Sequence, residues 1–289
     1  MPVQSAPPTV TLTRLRVVHR STFRYERKVT ASFNECRLTP LSDDRQHVVS
    51  AQVLVDPVTW QYGYTDYWGT QVLALEVLVP HTELNVVATT VADIAPTGAV
   101  PQVLWDDLHA PATVDAYAET LLATPLTEPG ADLTALAGEA AVGRTPPEAA
   151  HAICALVTGA VEYKRGATGV KTAAVEAWEN KRGVCQDIAH LAVGALRAVG
   201  IPARYVSGYL HSSPGAALGV PVIGESHAWV EWWTGGWYGW DPTNDVPVGS
   251  SHLVVGRGRD YGDVPPIKGI VAGAAGSALD VAVEVTRIS

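Results

Sequence analysis

The sequence predicts an α+β protein with an antiparallel β-sandwich-like amino-terminal half, followed by a core of helices packed on a second antiparallel sheet. Three observations carry this. From Leu12 to about Ile94 the chain runs in short β-branched or aromatic stretches, LRVVHRSTFRYE, HVVSAQVLVD, YWGTQVLALEVLV and ELNVVATTVADI, separated by turn residues. Pro96, Gly98 and Pro101 then break the pattern, and alanine-rich segments of helical period replace the strands. After Gly200 strand-like runs return in ARYVSGYL, SHAWVEWW, GWYGWDP and HLVVGRG, with ALDVAVEVTRI near the end. Helices and antiparallel strands in this order make an α+β chain. A length of 289 residues suggests two domains. The break places them at residues 1–97, β-rich, and 98–289, with the final strand in the second. Alternation at Val53, Val55, Val72, Ala74 and Glu76 is imperfect, so the pairing of the first strands stays open.

Helices are expected over residues 114–123, 131–141 and 147–161. Thr145 stands as a cap before the last of these, with Pro146 and Pro147 behind it. Thr172 has the same relation to AAVEAWENKR, and Gly183 closes that segment. The next segment, CQDIAHLAVGALRAVG, puts Ile188, Leu191, Ala192, Ala195, Leu196 and Val199 at core-facing spacing. Cys185 therefore falls in the first turn of a buried helix. No internal repeat or heptad run points to a solenoid or coiled coil.

Composition narrows the function. Hydrophobic residues make up 47% and charged residues 17%, a globular balance. No apolar run approaches the roughly 20 residues of a membrane span, so no membrane partner is expected. The amino end, MPVQSAPPTVTLTRLRVV, lacks the basic start and apolar stretch of a secretory signal, and a cytoplasmic location is the expectation. A net charge of −9, with no stripe of Lys and Arg interleaved with aromatics, argues against nucleic acid. Three widely spaced cysteines, Cys36, Cys154 and Cys185, form neither a disulfide framework nor a CxxC metal site. No HExxH motif is present, so a metal-dependent hydrolase ranks last, and no metal or cofactor is expected.

A thiol attacks as its thiolate, which a helix amino terminus and an adjacent histidine both favour. Cys185 has the first by position. Acyl transfer then needs a histidine that accepts and returns a proton, and a third polar group that fixes its tautomer. His227 and Asp241 are the candidates, because a turn at Gly235 and Gly236 would pair their strands as a hairpin. Spacing alone is weak support, since any chain of this size contains some Cys, His and Asp in that order. The flanking motifs add to it. RGVCQDIAH, GIPARYVSGYL, ESHAWVEWW and GWYGWDPTN resemble, in order and spacing, the core of the transglutaminase-like superfamily. VGRGRDYGDVPPIKG is similar to the loop that follows this core in its bacterial branch. LRVVHRSTFRYERKVTASFNECRLTP, with VDPVTW and YTDYWGT, resembles the β-rich region that precedes it in many bacterial members. The resemblance implies a papain-like, transglutaminase-like core in which Cys185, His227 and Asp241 form a catalytic triad. It further implies a peptide or carboxamide substrate, held as a thioester acyl-enzyme.

Plainer readings apply to the neighbours. Cys36 and Cys154 are read as buried apolar residues. His190, His211 and His252 are read as hydrogen-bonded structural residues. Asp241 before Pro242 also suits a cap, although the resemblance places the triad acid there. Gln186 and Asp187, in the first turn, complement the helix dipole and are left out of the catalytic set. Trp229, Trp232, Trp233, Trp237 and Trp240 cluster around the two strands, mostly as core. Alternation puts His227, Trp229 and Glu231 on one face, which makes Trp229 a candidate substrate-binding wall of the cleft. The Cys185 backbone N–H is a natural oxyanion donor, and no side chain stands out as a second. Hydrolysis of the thioester, as a peptidase or amidase, is favoured over crosslinking of Gln to Lys or amines, since no acidic loop resembles the calcium sites of animal crosslinking enzymes. A binding module with the fold but no activity is the remaining alternative, disfavoured by intact candidates at all three positions.

Overall fold

Six strands occupy the amino-terminal half: β1 (Thr13–Val29), β2 (Ala31–Thr39), β3 (Gln46–Asp56), β4 (Trp60–Thr65), β5 (Gln71–Val77) and β6 (His81–Ile94). The computed structural model describes residues 11–224, 226–273 and 276–289. The first ten residues, read above as lacking a secretory signal, lie outside these. In β6 the residues Leu84, Val86, Ala88, Thr90, Ala92 and Ile94 alternate inward, the period-two burial of a strand covered on one face. Beyond Ile94 come α1 (Trp105–Leu108), α2 (Pro111–Ala116), α3 (Ala118–Leu121), α4 (Gly130–Ala141), α5 (Pro146–Ala160), β7 (Glu162–Tyr163), α6 (Ala174–Asn180), β8 (Arg182–Gly183) and α7 (Cys185–Ala198). The remaining strands are β9 (Ala203–Leu210), β10 (Pro221–Gly224), β11 (Ser226–Trp233), β12 (Trp237–Asp241), β13 (Val246–Pro247), β14 (His252–Gly258), β15 (Ile267–Ala272) and β16 (Ser277–Arg287).

The strands assemble into sheets of order β10-β16-β1-β6-β3, β15-β2-β5-β4 and β13-β12-β11-β9-β14, beside the short parallel pair β7-β8. The first two enclose Val29, Cys36, Leu38, Leu75, Leu84 and Val86, so Cys36 is core. The final strand, expected with the second half, has a different partner. It runs antiparallel along β1 from Leu15↔Arg287 to Tyr25↔Ser277. Its Val283 and Val285 fill an apolar cluster with Leu15, Val17 and Ile94 that also takes Tyr209 and Leu253 from the third sheet. Burial of that face fixes the partner.

Helix formation follows the local signals, with two differences. Thr145 caps α5, its backbone N–H donating to Glu148 at 2.9 Å in a capping box. The helix expected over 114–123 is divided into α2 and α3 at Tyr117 (φ −116°, ψ 18°). There the phenol ring packs against Trp233 and Trp237, with centroids 4.6 and 5.7 Å away, so tertiary packing overrides a propensity worth a fraction of a kcal/mol per residue. The cap of α6 is Ala173. Thr172, expected in that place, instead accepts a hydrogen bond from the Gly169 N–H.

Helix α7 is buried from Gln186 to Arg197 and packs against β11 and β9. Ile188, Leu191 and Ala195 meet Ala228, Val230 and Trp232 on the inner face of β11. The Arg197 guanidinium donates to the carbonyls of Thr120, Leu122, Ala203 and Arg259, which satisfies a buried cation and ties the helix to three surrounding segments. Two side-chain devices join the halves. Gln46 donates to Val254 O (2.8 Å) and accepts from Val254 N (2.9 Å), pairing backbone next to the β14 bulge. Glu231 accepts from Arg204 (2.7 Å) and Arg257 (2.9 Å), and Arg257 reaches Asp43 at 2.9 Å. Among the described residues no helix is long and apolar enough to cross a membrane.

Glycine 194 lets α7 approach its neighbour: a Cβ there would lie 1.9 Å from the Thr127 carbonyl oxygen, whereas a Cβ at Gly138 in α4 meets nothing within 4 Å. Gly194→Ala should therefore lose about 1–3 kcal/mol by overpacking, and Gly138→Ala should gain up to about 1 kcal/mol from helix propensity. Urea denaturation midpoints check this. Equal midpoints for the two variants would contradict the close approach.

Candidate active site

Cys185 is the first residue of α7, preceded by the extended Val184. The Asp187 carboxylate fixes this helix start by accepting the Val184 N–H at 2.8 Å and the Thr168 hydroxyl at 2.5 Å. Gly183 is needed beside it, since a Cβ there would fall 2.7 Å from Asp187 Cβ. Burial pushes the Asp187 carboxyl up from its ordinary pKa. The β7-β8 pairing sets Tyr163 opposite Gly183 and carries Tyr163 and Arg165 to the edge of the same cleft.

His227 and Asp241 come together through the hairpin. Strands β11 and β12 pair from Trp233↔Trp237 to Val230↔Trp240 around a turn in which Gly235 has φ +94°. Continuing that register sets Asp241 opposite Trp229, so its diagonal neighbour on the same face is His227. The two side chains meet with Nε2 2.7 Å from Asp241 Oδ2. Since Nε2 is engaged, Nδ1 is the ring nitrogen left for Cys185, which lines the same cleft and favours the charged form of the ring.

Asp241 has no solvent exposure, and both its oxygens are bonded. Oδ1 accepts the backbone N–H groups of Thr243 (3.0 Å) and Asn244 (3.2 Å). Oδ2 accepts His227, the Asn244 amide (2.7 Å) and His252 Nε2 (3.3 Å). Burial alone would raise the carboxyl pKa, but the bonds from His227 and His252 hold it well below the usual carboxylate range. For His227 burial likewise works against the charged form, yet the bonds and charges of Asp241 and Cys185 raise its pKa to about 10. Its surroundings thus favour the charged form of the ring.

The cleft onto which Cys185 and His227 open has a volume of about 360 Å³, with Tyr163, Arg165, Ser212 and Asn244 in its walls. A second cavity of about 390 Å³ adjoins it through Leu210, Ser212 and Asn244. The other thiols lie elsewhere and are shielded, burial pushing Cys36 up to about 12 and Cys154 higher still. Trp229 does not line the cleft. It is fully buried behind the imidazoles, 6.1 Å from His227 and 5.3 Å from His252 between ring centroids. Gly208 makes the space, since a Cβ there would come 2.5 Å from the indole. The indole therefore supports the rings from behind, where a substrate has no access.

His190 accepts the Tyr261 N–H at 3.1 Å, the structural role expected of it. Two residues outside the candidate set reach Asp241: Asn244, whose signal was the DPTN motif, and His252, which nothing local in the sequence singles out. Among the described residues no group of three or more His, Cys, Asp or Glu side chains is arranged to hold a metal ion.

Residues 134–242 match the family model of the transglutaminase-like superfamily, and residues 15–93 that of the bacterial transglutaminase-like N-terminal region. An uncharacterized protein of Mycobacterium leprae is 44% identical over 277 residues, covering 96% of this chain and 99% of its own length. An uncharacterized protein of Mycobacterium tuberculosis is 33% identical over 292 residues, with 94% and 92% covered. Among solved structures, a candidate cysteine protease from Cytophaga hutchinsonii superposes with a TM-score of 0.77 at 19% identity, with 96% of this chain and 92% of that one covered. That likeness extends through the β-rich half as well as the core. Matched along both halves, the chain belongs to the transglutaminase-like superfamily, in the form that carries the bacterial N-terminal region.

Proposed function

We propose that the protein is a cysteine-nucleophile hydrolase, a peptidase or amidase, acting on peptide or carboxamide bonds. The observation that carries this is the buried Asp241 carboxylate bonded to His227 Nε2 at 2.7 Å, with His227 and the Cys185 thiol at the start of α7 lining one open cleft. In this reading the Cys185 sulfur attacks the carbonyl carbon and a C–S bond forms. The C–N bond then breaks, and the imidazolium proton passes to the departing amine. Water next attacks the thioester, giving its proton to His227, and the acid leaves as the thiol re-forms. The Cys185 N–H, one of those a helix start leaves without an intrahelical partner, is the donor available to the developing oxyanion. Trp229 takes part only by holding His227 in place.

Hydrolysis and crosslinking share the thioester and divide at the acceptor. With a glutamine-containing peptide and excess primary amine, the hydrolase should release ammonia or cleave the peptide, and Cys185→Ala should abolish this. Asp241→Asn should keep weak activity, because binding and oxyanion contacts survive a misoriented imidazole. Amine incorporation without hydrolysis, lost in Cys185→Ala, would move the protein to the transglutaminase alternative. No reaction at the thiol at all would favour the binding module.

The imidazolium offers a check that needs no substrate. His227 is raised from 6.5 to about 10, so its contribution to folding stability is complete below about pH 6.5 and is lost as the pH rises towards 10. NMR titration should find the His227 ring protonated through neutral pH, and Asp241→Asn should bring its midpoint down. A wild-type midpoint near 6.5 would contradict the ion pair.

A further inference from the structure

A second imidazole reaches the candidate triad acid, from a strand the hairpin does not include. His252 opens β14 and is 4% exposed. Its Nδ1 accepts the Gly249 N–H at 3.4 Å, which places the ring proton on Nε2. That N–H points at Asp241 Oδ2, 3.3 Å away. Trp229 packs edge-on against the ring, at a centroid distance of 5.3 Å and an interplanar angle of 76°. A backbone group thus sets the tautomer, an indole sets the ring plane, and the one remaining polar atom is spent on the carboxylate.

We infer that His252 is a positioning residue for the reaction, its Nε2–H locking the Asp241 carboxylate in the orientation that meets His227. The inference rests on the cysteine-hydrolase reading of the site. A carboxylate is free to turn about its Cβ–Cγ bond unless both oxygens are held. Oδ1 is held by the backbone of Thr243 and Asn244. On Oδ2 the donors are His227, the ring whose orientation has to be fixed, Asn244 and His252. Asn244 is exposed, so water competes for its amide. His252 borders the second cavity but is only 4% exposed, and a buried bond keeps its strength where an exposed one is screened. The ionisable groups around Asp241 are His227 from β11, Cys185 from α7 and His252 from β14, with His211 from the adjoining cavity wall.

The test follows the rate of Cys185 alkylation by iodoacetamide against pH, between about pH 4 and 9, by mass spectrometry of the full chain. Wild type, His252→Phe and His252→Gln are compared. Phe keeps the shape and removes the donor. Gln restores a donor at the Nε2 position. The Phe variant should move the inflection up by about one pH unit, as a looser Asp241 supports the imidazolium less, and the Gln variant should bring it back. A Phe profile superimposed on wild type would overturn the positioning role while leaving the nucleophile in place. Absence of any reactivity advantage of Cys185 over Cys36 and Cys154 in the wild type would instead sink the hydrolase reading beneath it. Should the Phe variant fail to fold, the wild-type NMR spectrum decides: a His252 ring carrying its proton on Nε2, in slow exchange, supports the assignment, and the Nδ1–H tautomer overturns it.

Discussion

A carboxylate with no access to water is costly to bury unless each oxygen is bonded, and Asp241 meets that condition by recruiting groups from three parts of the chain. The turn after Pro242 gives two backbone N–H groups and the Asn244 amide, β11 gives His227, and β14 gives His252. Each donor depends on an element being where it is. The β11-β12 hairpin must close in the register Val230↔Trp240, and β14 must run beside β9, opposite Leu210 at His252. Removing one partner of a buried, bonded charge typically costs about 3–5 kcal/mol, so this carboxylate constrains the third sheet as strongly as any apolar contact. The same bonds that make burial tolerable prepare the neighbouring imidazole to hold its proton.

The rest of the fold keeps Cys185 in register with that imidazole. Helix α7 is surrounded by apolar side chains along its length, fixed at its end by Arg197 and at its start by Asp187. A thiol at the first residue of a helix so clamped has little freedom to drift from the His227 ring. The β-rich half adds stiffness from behind. The ion pairs of Glu231 with Arg204 and Arg257, continued to Asp43, and the Gln46 amide on Val254 brace the sheet that bears His227. The return of β15 and β16 to β2 and β1 closes the chain around that support.

Local order made much of this readable in the sequence. The spacing of Ile188, Leu191, Ala192 and Ala195 announces a buried helix, and Gly183 and Val184 before it leave Cys185 at its start. Glycines at 235 and 236 announce the hairpin. What stayed hidden depends on distant partners. No local pattern tells that Tyr117 will wedge between two tryptophans and divide a helix, or that β16 will choose β1. Alternation placed Trp229 on the His227 face correctly, but whether that face opens to a cleft at this depth depends on Gly208 on the next strand and on β14 beyond it. His252 reads as an ordinary strand histidine until the third sheet sets it against Asp241.

In the proposed reaction one sulfur, activated by His227 and Asp241, takes the acyl group of an amide substrate. Acid-quenched turnover of a peptide library, followed by intact-protein and peptide mass spectrometry, tests it most directly. An acyl adduct should form on the Cys185 peptide alone, labile to hydroxylamine as a thioester is, and be lost in Cys185→Ala together with turnover. Product formation that continues in Cys185→Ala, or an adduct on another residue, would contradict it.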